Sequence, residues 1–139
     1  MEQRHDSAHK HVTGSASYID DMAAPEGLIH AYLGLSSIAH GDVESMDLAA
    51  VQAAPGVIGV LTSDDIPGHN DVSPTGKHDD PVFAHSVEFH GQPIFAVVAE
   101  TRTAARNAAA LAKVEYTAKP HITDVADARA AGYPLVTEP

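Results

Sequence analysis

Cysteine is absent from the 139-residue chain. That excludes a disulfide framework, a thiolate metal site, a Cys nucleophile and an iron–sulfur cluster held by this chain itself. Tryptophan is also absent, and aromatic residues make up only 5%. The 44% of hydrophobic residues is rich in Ala, so close packing of small side chains has to build the core. Basic residues are scarce: 8 Lys and Arg stand against 19 Asp and Glu, for a net charge of −11. Phosphate neutralisation needs clustered cations, so nucleic acid and anionic membrane surfaces are poor partners. Long apolar runs are missing too. The longest, 94–99, is far below the ~20 residues that span a bilayer. The first ten residues are polar and His-rich, unlike a secretory signal. These absences predict a soluble, cytoplasmic chain with no nucleic-acid or membrane partner, of a length that suits one domain.

What is present reads as an α+β pattern of strands with interspersed helices. Residues 1–11 lack apolar periodicity and read as a flexible lead-in. A short strand is expected at 16–19. The segment 28–36 alternates, with Ile29, Ala31, Leu33 and Leu35 on the apolar side, and that side is expected to face the core. A strand at 42–46 leads to Asp47, an N-cap for a helix over 48–53 that Pro55-Gly56 ends. Residues 57–62 form a buried strand, and Ser63-Asp64-Asp65 a capped turn. Residues 69–81 are polar and rich in Gly and Pro, the pattern of a mobile loop. Strands follow at 86–89 and 92–99, the second central, with Pro93 at its start. Thr101 or Thr103 caps a helix running to about Val114, with Ala104, Ala108, Leu111 and Ala112 on its packed face. Residues 115–117 suggest a short strand. A last helix over 124–131 ends at Gly132. An exposed apolar patch is expected around 36–40 and along Tyr133, Leu135 and Val136.

Residue chemistry offers no convincing active site. His5, His9 and His11 have spacings that a zinc pair on a helix would need, but no Cys or carboxylate completes a ligand set. His85 and His90 flank an apolar strand as turn or edge residues. The pairs Asp20-Asp21, Asp64-Asp65 and Asp79-Asp80 point to opposite sides of any strand, and turn or cap roles explain them. There is no nucleophile elbow, no phosphate-binding loop and no dinucleotide fingerprint. The expected catalytic, cofactor-binding and metal residues are therefore none.

Six ordered segments carry a resemblance. Residues 11–21, HVTGSASYIDD, open the series. Gly27-Leu28-Ile29-His30-Ala31 and Ser36-Ser37-Ile38-Ala39-His40-Gly41 follow. Next come Pro55-Gly56-Val57 with Thr62-Ser63-Asp64-Asp65-Ile66-Pro67-Gly68. Gly91-Gln92-Pro93-Ile94 with Val97-Val98-Ala99-Glu100-Thr101, and Ala104-Ala105-Arg106 through Val114-Glu115-Tyr116, complete it. Together they resemble the α/β hammerhead domain that opens the molybdopterin-binding large subunit of the xanthine dehydrogenase and aldehyde oxidase family. Gly41, where that family usually has Ala, is a departure.

The resemblance implies an α/β hammerhead domain over 12–132, with 133–139 an extended tail leading toward a molybdopterin-binding domain. It implies a non-catalytic structural and docking domain of a molybdenum hydroxylase, of xanthine dehydrogenase type, that oxidises purines or aldehydes. Molybdopterin, 2Fe-2S clusters and FAD would belong to the full enzyme. The partners would be the remaining molybdopterin-binding domains and the iron–sulfur and FAD subunits or domains. The family's Gly-Gln-Glu-His-Phe pterin segment is not matched by Gly91-Gln92-Pro93-Ile94-Phe95, so no family catalytic residue transfers to this chain. The alternative is a free-standing small-molecule or metal-binding module with no redox role. An end without a terminating element, at Thr137-Glu138-Pro139, favours the first expectation.

Overall fold

A computed structural model describes residues 5–74 and 79–132. Among the described residues, six strands form two three-stranded sheets, and every pairing is antiparallel rather than mixed. In sheet A the order is β1 (His30–Leu35), β5 (Pro93–Ala99), β3 (Val57–Leu61). In sheet B it is β4 (Ser86–Val87), β2 (Gly41–Asp47), β6 (Lys113–Ala118). The helices are α1 (Ala8–Thr13), α2 (Ala49–Gln52), α3 (Arg102–Ala109) and α4 (Val125–Ala130). None is long and apolar enough to cross a membrane.

The central strand follows from its composition. β5 is the apolar run, and Pro93 stands at its start, where its missing amide does least harm. Thr101 caps α3 by accepting the Ala104 amide at 3.0 Å. The buried residues of α3 are Ala105 and Ala108, small enough to let the helix approach the sheet closely. They share the core with Val51, Val87, Ile94, Phe95 and Val97. Sheet B adds Val43, Met46, Val114 and Tyr116, which pack against that core.

Several expectations are corrected. The side of β1 carrying Ile29, Ala31, Leu33 and Leu35 faces outward: Leu33 and Leu35 are 46% and 49% exposed. The inward side carries Tyr32 and Gly34, followed by Ser36. Gly34 decides the matter. It pairs with Phe95, and a Cβ built on it would overlap the Phe95 ring. An inward glycine therefore makes room for the largest buried side chain.

The patch expected at 36–40 is not there. Ser36 is buried, and Ile38 packs against the core. Tyr133, Leu135 and Val136 lie outside the described residues. Helix α3 ends at Ala109, not near Val114, because β6 begins at Lys113 to pair with β2 and leaves Leu111 outside the packed face. Part of the expected flexible lead-in is helical, since α1 begins at Ala8. It buries no residue and ends at Gly14, whose φ of 71° closes it. The strand expected at 16–19 is replaced by a 3-10 turn at Ile19–Asp21, closed by the Asp21 carboxylate accepting the Tyr18 amide at 3.0 Å. Asp47 accepts the Ala49 amide at 3.1 Å but lies one residue before the N-cap of α2, Leu48.

Candidate functional site

The best-defined polar constellation lies where β1 ends against the turn before β5. Ser36 is buried, and its Oγ accepts the amides of Gly91 at 3.1 Å and Gln92 at 3.0 Å. The same hydroxyl donates to the Phe89 carbonyl at 3.1 Å. The Ser36 amide donates to the Gln92 carbonyl at 2.9 Å. Gln92 is only 4% exposed, and its Oε1 accepts the Glu88 amide at 2.8 Å. One hydroxyl thus organises a whole turn. It also ties two of the sequence segments together, the one beginning at Ser36 and the one beginning at Gly91. Gln92 was visible in the sequence only as part of a motif. Its burial could not be read there, because a Gln beside a turn is ordinarily a surface residue.

That turn forms one wall of an open cleft of about 620 Å³. Ala39 and His40 form a second wall, and the segment 120–123 with Ala128 a third. Three imidazoles line it: His40, His90 and His121. A carbonyl only accepts, so His40 donates through Nδ1 to Pro120 at 2.8 Å. Beside it, Lys119 and Asp42 form an ion pair at 2.6 Å. The Lys119 ammonium, followed by a hydrogen bond from Ser86, holds the Asp42 carboxyl below its ordinary value. Among the described residues no three His, Asp or Glu side chains gather to hold a metal ion.

The other sequence candidates do not converge on this cleft. The His5 and His11 rings are 6.3 Å apart, and His11 Nδ1 lies 3.0 Å from the Tyr18 hydroxyl. His9 sits in α1, one turn from Thr13, whose hydroxyl donates to the His9 carbonyl at 2.8 Å. His85 is exposed before β4. Asp65 caps its own turn by accepting the Thr62 amide at 2.8 Å. The Asp79 and Asp80 amides both donate to Ser73 Oγ.

A model of the family described as aldehyde oxidase and xanthine dehydrogenase, a/b hammerhead domain, matches residues 13–120. The chain belongs to this family. Its relatives include a xanthine dehydrogenase of Dictyostelium discoideum, 40% identical over 126 residues. That match covers 90% of this chain and 9% of the relative. A xanthine dehydrogenase of Oryza sativa subsp. japonica is also 40% identical, over 129 residues, covering 92% of this chain and 9% of the relative. Among solved structures, the aldehyde oxidoreductase from Desulfovibrio desulfuricans superposes with a TM-score of 0.76 at 26% identity, over 90% of this chain and 15% of that one. The reconstituted CO dehydrogenase from Oligotropha carboxidovorans gives 0.74 at 30% identity, over 88% and 16%. The hammerhead domain is thus a small part of each relative.

Gly41 is buried at the start of β2, and an added Cβ would overlap the Thr117 carbonyl oxygen.

The Gly91-Gln92 turn does not fit a pterin. The Gly91 and Gln92 amides are spent on Ser36, and Gln92 is enclosed. No buried side-chain polar atom among the described residues lacks a partner that a ligand could supply. With no Cys, the chain offers no thiolate to an iron–sulfur cluster.

Proposed function

We propose that this chain is a non-catalytic structural and docking domain of a molybdenum-dependent hydroxylase of the xanthine dehydrogenase and aldehyde oxidase type. The full enzyme would oxidise purines or aldehydes in the cytoplasm. Molybdopterin, 2Fe-2S clusters and FAD would be bound by other domains or subunits, which are this domain's partners. Residues 12–132 would form the domain, and 133–139 would lead toward a molybdopterin-binding domain. The observation that carries this reading is the hammerhead match over 13–120 in a chain spanning 9% of its xanthine dehydrogenase relatives. It is supported by how the polar groups are used. Ser36, Gln92, Asp21, Asp65 and Thr101 each bond the chain's own backbone, which is the pattern of a scaffold.

The test is a segment exchange. Residues 13–120 replace their counterpart in the Dictyostelium discoideum relative, and xanthine oxidation is measured beside the 139-residue chain alone. The hybrid is expected to fold and to oxidise xanthine. The chain alone is expected to carry no stoichiometric molybdenum and to turn over neither purine nor aldehyde. A hybrid that fails to fold, or turnover by the chain alone, contradicts the proposal.

A further inference from the structure

We propose that the outward face of sheet A is a docking surface, and that its occupant is an uncharged, apolar surface on another domain of the same family-length polypeptide. This rests on the reading of the chain as one domain of a larger hydroxylase.

The composition of the face is the first support. The register places Leu33, Ala96 and Leu61 in one cross-strand row and Ala31, Val98 and Gly59 in the next. Neither row holds a charged residue. Leu33 and Leu61 are 46% and 43% exposed, and Leu35 extends the surface along β1. The face is open along its two outer strands. Ala96 on the central strand is buried between the two leucines, while a Cβ built on Gly59 meets nothing within 4 Å. The helices cover the opposite side, where Val51 and Ala108 join Val97 in the core. A contiguous apolar surface of this kind on a soluble domain marks a contact with another surface.

Length and charge decide the occupant. The chain spans only 9% of the xanthine dehydrogenases it matches, so a family-length polypeptide carries ample surface to cover the face. A second copy would bring another −11 of charge toward the first, and the two would repel.

The absence of Cys makes the test direct, because each introduced thiol is unique within the segment. Leu33→Cys, Leu61→Cys and the exposed reference Glu44→Cys are made in the 139-residue chain and in the hybrid polypeptide described above. Maleimide labelling is followed by peptide mass mapping. In the isolated chain, the Leu33→Cys and Leu61→Cys thiols should react within about threefold of the reference, as exposed groups do. In the hybrid they should react at least ~100-fold more slowly, because labelling then requires the covering surface to open. Equal reactivity in both settings, in a hybrid that folds and oxidises xanthine, overturns this face while leaving the domain reading intact. An unsubstituted hybrid that fails to fold overturns the domain reading and this inference together. Slow labelling in the isolated chain that speeds up on dilution overturns it in favour of a second copy.

Discussion

Gly34 and Leu33 are neighbours in β1, yet the glycine is buried and the leucine is half exposed. The same division runs across sheet A. Val97 and Phe95 pack inward against α2 and α3, while Leu33 and Leu61 on the other face stay 46% and 43% exposed. Hydrophobicity does not separate the two faces, since leucines crowd the outer one. Shape does. The inner face accepts a large ring only because Gly34 withdraws its side chain, and it accepts a helix only because Ala105 and Ala108 are small. Gly34, Ala105 and Ala108 make room for the larger core residues Phe95, Ile94 and Val97, while Leu33 and Leu61 are left half exposed on the other face.

The largest expected effect comes from filling the inner face. Gly34→Ala puts a methyl group into the Phe95 ring, which is only 2% exposed. Overpacking of this kind should cost about 3 kcal/mol in urea unfolding. A loss below about 1 kcal/mol would show that the ring relocates easily and that glycine is not what orients β1.

Just past the end of β1, Ser36 continues the inward side. Ser36→Ala removes the hydroxyl shared by the Gly91 and Gln92 amides, which keep only their backbone acceptors, the Ser36 and Phe89 carbonyls. The expected loss is about 1 kcal/mol, with faster hydrogen exchange confined to 88–92. Exchange that rose equally across sheet A would break the view that this hydroxyl organises one turn.

The smallest effect lies on sheet B, at an exposed ion pair that should matter little to either face of sheet A. Lys119 lowers the Asp42 carboxyl in the folded chain. The stabilisation is therefore present above the ordinary Asp value and is lost as pH falls through the lowered one. An NMR titration should find Asp42 below the ordinary Asp value, rising in Lys119→Ala. No movement in that variant would assign the shift to the Ser86 hydrogen bond and the His40 charge instead.

Much of this fold was legible in the sequence. The central strand, its opening proline and the Thr101 cap follow from apolar runs and local capping chemistry. The family was legible as well, because six segments in order along the chain carry the resemblance. The facing of β1 was not. Alternation identifies two sides of a strand, but only the Phe95 partner across the sheet says which side has room. The end of α3 was hidden for a similar reason: Lys113 and Val114 suit a helix until β2 offers them a pairing partner. The Ser36 and Gln92 contacts span more than fifty residues, a separation that no local pattern encodes.

The division between the two faces is tested most directly by one paired measurement on the isolated chain. Val97→Ala and Leu33→Ala are compared by urea unfolding under the same conditions. Val97 is fully buried in the core, and truncating it should cost roughly 2–3 kcal/mol. Leu33 loses the larger side chain but from an open surface, and the cost should stay below about 1 kcal/mol. If Leu33→Ala destabilises the isolated chain as much as Val97→Ala, the outer face already serves this domain's own core and is not held open for another surface.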